Sequence, residues 1–572
     1  MAECTENFLS NFPELLNTSK GRHVGIIGAG FAGLRCAEVL IAGGAKVTIL
    51  EARDRLGGRV HQADFNGQTV DMGPNWIHGT STNPILKLAK KTNTTLSLLE
   101  GSSPCIFDSC GQLLDQDKAT ELVDLLWEMI SDAFKYSNQN CQQIPLTESL
   151  KDFILGQAVD RGLSGEYQGL LLQIAEMWGG FVGDLLVKQS LKHFWLEECL
   201  DGENLFVANT HARILNALAE SAQKHAAIIT ETRVISIENV NTNNKEYIVV
   251  KAANNRTFEF DSVVVTVPLG LLKRATAPTF SPPLTPQIRR AIDRAHYSSL
   301  EKVLVTFPCA FWQEEKDTSD AKEDAASTST FSSFAHFLHP EYAHDQNPEN
   351  WYVELVALSS SSMKQHAQAT LLFSIYGPCA EYVTSRLTPL NPNSQEYFAF
   401  LIEFFRPYYS LLPGYTPDTI HCQPTAVLAT SWQTDELAGF GSYMNFQAKK
   451  SEKDTPAINS LEDDLRALRH GMPERDIWIA GEHAAPFVAL GTLTGAYWSG
   501  EMVAVKILRK EIEKEKERGD VATPAQCENS VGEKQEVDLL ESTGRDRDLG
   551  GRLGVAMGHL EVGKPLVTAF VG

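Results

Sequence analysis

The chain has 572 residues, a formal net charge of -22, 43% hydrophobic and 21% charged residues, and ten cysteines. That length and apolar content suit more than one folded unit. The acidic balance disfavours nucleic acid, whose binders need basic patches, and fits cationic small molecules as readily as it fits mere solubility. The cysteines form no CxxC pair, metal-ligand spacing or disulfide framework, and no metal site is expected. No basic-then-apolar leader, no apolar run of about 20 residues and no C-terminal address is visible, so the expectation is a cytoplasmic protein without a membrane span.

Residues 1–20 read as a lead-in. The apolar run from His23 to Gly28 predicts a buried parallel strand, Gly30 to Ala42 a helix, and Lys46 to Leu50 a second strand, together one βαβ unit. Further along, Leu113 to Phe134 and Gly165 to Trp178 look helical, while Ile228 to Glu238, Tyr247 to Val250 and Asp261 to Pro268 look like strands. Residues 314–330 are polar and read as a surface insertion. Trp351 to Leu358 and Thr370 to Tyr376 predict strands of a second sheet, Ile477 to Gly481 a late strand, and Thr494 to Arg509 a final helix continued by a charged segment. Residues 519–572 lose periodicity and read as a disordered tail.

Gly28-Ala29-Gly30-Phe31-Ala32-Gly33 fits GxGxxG between a strand and a helix, the context in which the motif binds dinucleotides. Gly28 permits the tight turn, Gly30 lets the backbone approach a pyrophosphate, and Gly33 lets helix and strand pack closely. The helix N-terminus at Ala32 offers free N–H groups to phosphate. Glu51 ends the next strand, where an acid holds ribose hydroxyls. The motif alone does not separate FAD from NAD.

The continuation from Glu51 through Ala52, Arg53, Gly57 and Gly58 to Arg59 resembles the flavin amine oxidase family. Val70 to Gly79, containing Gly73, Pro74, Asn75, Trp76 and His78, is similar to the same family's next block. Thr232-Arg233-Val234, Val265 to Leu269, Ile479 to His483 (with Gly481 and Glu482) and Gly491-Thr492-Leu493 resemble its later blocks, so the likeness runs over roughly residues 22–510. It implies FAD contacts at Gly28, Gly30, Ala32, Gly33, Glu51, Ala52, Arg53, Gly58, Arg59, Gly73, Pro74, Asn75, Trp76, Val234, Gly481, Glu482, Gly491, Thr492 and Leu493, and substrate contacts at His78, Tyr443 and Thr492. It also implies a lysine near the flavin at Lys302, a flavin-facing tryptophan at Trp432, and an aromatic wall of an amine cage at Tyr443. Taken alone, Lys302 reads as a solvated strand-end lysine, and Trp432 and Tyr443 as core aromatics. His78 is either a substrate-tunnel residue or a satisfied loop histidine. Glu176 and Asp184 are open candidates for a carboxylate that meets a second substrate nitrogen.

Three departures stand out. Ser442 occupies the place where covalently flavinylated relatives carry cysteine, which implies non-covalent FAD. Thr492 replaces a second cage tyrosine and gives a half-open cage, closer to flavin histone demethylases. Phe206 to Thr210 lacks the family's glycine pair and leaves that turn undetermined. The expected fold is α/β: a Rossmann-like FAD/NAD(P)-binding domain from 20–100, 200–290 and 470–510, and a mixed α+β substrate domain from 101–199 and 291–469, with 511–572 as the tail. The expected activity is oxidation of a secondary amine of a polyamine or acetylpolyamine, with O₂ as the second small-molecule partner. Another amine (methyl-lysine or a bulky primary amine) and a flavin-bound scaffold with little turnover stay open.

Overall fold

The computed structural model describes residues 15–16, 21–99, 105–242, 245–274, 276–313, 331, 333–451 and 460–518. Almost all of the expected lead-in, the 314–330 insertion and the 519–572 tail lie outside the described residues.

The βαβ unit opens a five-stranded, wholly parallel sheet ordered Ile477–Ile479, Ser262–Val265, His23–Ile27, Lys46–Leu50, Ala227–Ile229. Its strands are runs of Val and Ile because both faces are covered, as in parallel sheets generally. Val24 and Ile26 join one core with the Phe31–Ala42, Ala212–His225 and Leu493–Arg518 helices; Ile27, Val263 and Val265 join another with the Pro286–Arg294 and Leu461–His470 helices. The final helix lies tight against the first: a Cβ on Gly500 would stand 2.1 Å from the Ala32 carbonyl oxygen.

A four-stranded sheet, Thr257–Phe260, Lys245–Ala252, Val234–Thr242 and Thr279–Ser281, adjoins it. The third is six-stranded, ordered Ala426–Ala429, Leu300–Thr306, Thr370–Tyr376, Val353–Ala357, Phe334–Phe337, Cys105–Phe107, antiparallel except for the last pair. The Gly377–Leu387 and Gln395–Tyr409 helices pack on one face of this sheet. No helix among the described residues is long and apolar enough to cross a membrane.

The expected strand Ile228 to Glu238 is two strands in two sheets. Glu231 takes a left-handed φ of +51°, and the turn is pinned to the cofactor-side loop by Glu231 N–H to the Arg53 carbonyl (2.9 Å) and Thr232 N–H to the Glu51 carbonyl (2.8 Å). A run of β-formers does not reveal such a break, because both pieces share one periodicity. The helix expected from Leu113 runs Gln116–Asn140, capped by Asp115, which accepts from Lys118 N–H at 3.1 Å. The helix expected to reach Trp178 ends at Ala175 and tightens into a 3-10 turn.

At the turn without glycines, Leu205–Val207 pairs with Trp76–Ile77 and Leu96–Ser97. The left-handed position falls on buried Thr210, φ +68°. A β-branched residue there is strained by about 1–2 kcal/mol. Thr210→Gly is therefore expected to raise stability by about 1 kcal/mol, read as a higher midpoint in urea at unchanged slope; a lower midpoint would place the turn elsewhere.

Candidate active site

The glycine turn builds the site's floor. Gly28 has φ +108°, and Gly33 packs so closely that a Cβ would lie 2.1 Å from the Gly28 carbonyl oxygen. Gly30 caps the following helix without any side-chain bond. A Cβ on Gly30 would meet nothing within 4 Å, because it would point into a cavity of about 400 Å³. Free helix N–H groups, a glycine cradle and this volume fit a pyrophosphate-linked dinucleotide. Glu51 is fixed at the cavity's edge by accepting from Ala29 N–H (2.7 Å) and Arg53 N–H (2.8 Å).

The cavity gathers nearly every residue singled out from sequence: Gly28, Gly30, Ala32, Glu51, Ala52, Arg53, Gly58, Arg59, Gly73, Pro74, Asn75, Trp76, His78, Val234, Lys302, Trp432, Tyr443, Gly481, Glu482, Gly491, Thr492 and Leu493. Gly33 is the exception. It sits behind the turn and acts through packing rather than contact. Glu176 and Asp184 also stay out of the lining. Glu176 accepts from Leu186 N–H (3.2 Å) and the Tyr376 hydroxyl (3.1 Å), and Asp184 from Leu185 N–H (2.9 Å) and the Gln447 amide. Both are spent on local structure.

Charges at the cofactor end are already paired. One guanidinium nitrogen of Arg53 donates to both Asp435 oxygens, at 2.8 and 2.9 Å. Arg59 donates to Glu482 (3.0 Å), the Ser442 carbonyl (2.6 Å) and the Tyr297 hydroxyl (3.1 Å). Trp432 is buried and donates its indole N–H to the Met72 carbonyl at 3.1 Å. The Thr492 hydroxyl accepts from Gly495 N–H at 2.9 Å and so caps the last helix.

Lys302 lies on the Leu300–Thr306 strand with its ammonium donating to the Gly73 carbonyl and the Asn75 side-chain oxygen. Burial pulls its pKa down to about 8, against the opposing pull of Asp71 and Glu301. Tyr443 is anchored by its hydroxyl to the Phe181 carbonyl at 2.6 Å. Burial lowers the pKa of His78, whose Nδ1 lies 3.2 Å from Asn204 Oδ1.

Sequence reasoning missed the opposite walls. Trp178, Phe181, Glu197, His336, Glu354 and Ser374 all line the cavity. Burial raises the pKa of Glu197 to about 8 and of Glu354 to about 7. Glu197 accepts from Phe446 N–H at 3.0 Å, while its second oxygen is buried with no partner among the described residues. A signal existed for Glu354, a carboxylate inside the apolar run Tyr352-Val353-Glu354-Leu355-Val356, where a solvated acid is out of place; Glu197 ends the run Phe194-Trp195-Leu196 and is followed by Glu198, so nothing local marks it.

The sequence profile of the flavin containing amine oxidoreductases matches residues 31–382. The chain is 30% identical over 303 residues to probable polyamine oxidase 4 of Arabidopsis thaliana, covering 50% of this chain and 58% of that protein. It is 27% identical over 503 residues to lysine-specific histone demethylase 1 homolog 2 of the same plant, covering 84% of this chain and 58% of that protein. It thus spans somewhat over half the length of these two relatives. Among solved structures, a putrescine oxidase redesigned in its cofactor binding superposes with a TM-score of 0.60 at 16% identity, covering 86% of this chain and 99% of that one, a likeness of fold.

The two inner glycines separate contact from packing. Gly30→Val, whose side chain would enter the cavity, is expected to leave the melting temperature of the flavin-free protein within about 2 °C of the parent while lowering flavin content at least about tenfold. Gly33→Ala should lower both, because the turn itself must move. Full flavin content in Gly30→Val, read from the visible absorbance, would place the pyrophosphate elsewhere.

Proposed function

The chain belongs to the flavin containing amine oxidoreductases, and from that premise we propose that it oxidises a secondary amine of a polyamine or acetylpolyamine. The product is an imine, hydrolysed to an aldehyde and a shorter amine, with O₂ reduced to hydrogen peroxide. FAD, held by the residues from Gly28 to Arg59 and from Gly481 to Leu493, supplies the two-electron acceptor when bound.

The observation that carries this reading is the cavity's chemistry: Glu197 and Glu354 set into walls that also present Trp178, Phe181 and Tyr443. Carboxylates attract a substrate cation, and aromatic faces guide its alkyl arm and stabilise its charge. The amine reacts in its neutral form, because a protonated nitrogen has no lone pair to assist loss of hydride from the neighbouring carbon. Lys302, held by the Gly73 carbonyl and the Asn75 side chain, is the group that can order a water and move a proton. Non-covalent attachment is supported by Ser442. Its hydroxyl donates to the Leu300 carbonyl (2.8 Å) and accepts from Leu300 N–H (2.9 Å), and it offers no thiol to a flavin.

A second reading, a peptidyl methyl-lysine or bulky primary amine as substrate, is favoured by Thr492. A threonine presents no second ring to face Tyr443 from that position, and its hydroxyl is held by the Ala489 carbonyl (2.8 Å) and Gly495 N–H (2.9 Å). The deciding experiment mixes the flavin-loaded protein anaerobically with spermine, spermidine, acetylspermine, benzylamine and a methylated histone peptide. Bleaching by the polyamines, with peroxide release on readmitting air, is expected. Bleaching by benzylamine or the peptide alone would replace the polyamine reading, and a flavin that no amine bleaches would indicate a scaffold.

Lys302→Met is expected to retain flavin yet reduce it about 10²- to 10⁴-fold more slowly. The lowered pKa means that Lys302 is protonated below about pH 8 and neutral above it. The parent's kcat/KM should accordingly show an inflection near that pH that the variant lacks. An identical profile in both would remove Lys302 from the chemistry.

A further inference from the structure

The six-stranded sheet places four polar residues side by side. Lys302 pairs with Ser374, Ser374 with Glu354, and Glu354 with His336, across four neighbouring strands. Residues paired directly across strands share a face, and all four line the cavity. With strands about 4.8 Å apart, Glu354 stands about 10 Å and His336 about 14 Å from Lys302, measured across the sheet. The row beside it on the same face is apolar, Leu304, Leu372, Val356 and Phe334, and the row on the other side begins with Leu300 and Tyr376. This wall of the cavity is thus a polar line between two largely apolar ones.

Hydrogen bonding fixes what this line can accept. Ser374 and Tyr352 both bond the Glu354 carboxylate. When Glu354 is ionised and takes the single phenolic proton of Tyr352, the 2.6 Å contact between the Tyr352 oxygen and His336 Nδ1 takes its proton from the histidine. The imidazole is neutral, burial having lowered its pKa to about 4. Its other nitrogen, Nε2, is then a bare lone pair, buried and without a partner among the described residues. Two acceptors, one charged, are offered here, and the nearby donors are already used. An N–H-bearing cation matches both; a carbonyl oxygen or an anion matches neither.

We propose that Glu354, His336 and Ser374 form a subsite for the second, non-reacting ammonium of a diamine or polyamine, and that its distance from Lys302 across the sheet sets the spacing between anchored and oxidised nitrogens. This rests on the amine-oxidase reading and narrows it to substrates with a charged second nitrogen. The groups packed around Glu354 are Tyr352, His336 and Ser374 within the sheet and Gly180 of the Gly179–Val182 helix above, with Tyr376 and Glu176 behind Tyr352. None is a competing cation. Because the Glu354 carboxyl titrates at about 7, selectivity for diamines should be present above that pH and fade as pH falls through it.

The test uses the flavin-loaded protein, α,ω-diamines of increasing length and monoamines of matched length. The parent should prefer diamines, with an optimum length. Glu354→Gln should lose about 30-fold or more in kcat/KM for diamines, through KM, while monoamines change less than about twofold. Ser374→Ala should show a smaller loss of the same kind. Calorimetry with a bis-guanidinoalkane, which carries two N–H-bearing cations and stays protonated with no reactive lone pair, gives a readout independent of turnover: it should bind the parent more tightly than Glu354→Gln. Equal losses for diamines and monoamines, or equal binding of the bis-cation by parent and variant, would overturn the subsite. A bis-cation whose binding depends on Glu354, in a protein whose flavin no amine bleaches, would uphold the subsite and overturn the amine-oxidase reading.

Discussion

Arg59 reaches segments that lie hundreds of residues away in the chain. From the end of the glycine-rich loop it donates to the Tyr297 hydroxyl, the Ser442 carbonyl and the Glu482 carboxylate. These belong respectively to the approach to the Lys302 strand, the loop bearing Tyr443, and the turn before the last helix. A guanidinium removed from bulk water is tolerated only when its charge and its donors are met together. Its partners are therefore held in a fixed relation to one another, and with them the cofactor end and the substrate end of the cavity. Glu482, itself buried, is bound by the same constraint in reverse.

The Lys302 strand applies a related division of labour. Alternation along a strand sends neighbouring side chains to opposite faces, so Lys302 enters the cavity while Glu301 turns to the back. There Glu301 accepts from the Thr430 hydroxyl and from Gln433 N–H (2.9 Å), and Thr430 in turn accepts from Lys302 N–H (2.8 Å). The residues flanking Trp432 are thus pinned to the lysine's own backbone. One strand sets the height of Lys302 and the position of Trp432, and a shift in either would be transmitted to the other.

What could be read in the sequence follows the range of each interaction. The glycine turn, Glu51 and the helix after Gly30 were legible because their geometry is decided within some thirty residues, where spacing is itself the structural constraint. The resemblance then carried Lys302, Trp432 and Tyr443, which no local pattern distinguishes from core or surface residues. Contacts created by register were not legible. Nothing within Phe334–Phe337 or Val353–Ala357 states that His336 will lie beside Glu354, since that depends on how two strands slide against each other. Glu176 and Asp184, beside Trp178, were open candidates for a carboxylate facing substrate, whereas the acids that line the cavity are Glu197 and, on the sheet, Glu354. The break at Glu231 escaped notice for the same reason: the bonds that hold it come from Glu51 and Arg53.

Burial draws the cavity's ionisable groups toward one another. Lys302 falls to about 8, while Glu197 and Glu354 rise to about 8 and about 7. Groups whose ordinary values differ by some six units are compressed into a narrow interval around neutrality. The cause is shared, because the same apolar and aromatic walls strip water from all of them. A cation arriving in such a space does more than meet a negative charge. It restores to Glu197 and Glu354 the ionised state that desolvation disfavours, and it supplies the donor that the second oxygen of Glu197 and Nε2 of His336 lack. The desolvation of these walls is already met by the folding of the protein, so a cationic ligand gains interactions that a neutral one of equal shape does not. On the proposed reading, selectivity for amines is a property of the cavity as a whole, with the register of the sheet deciding where along it the charge sits.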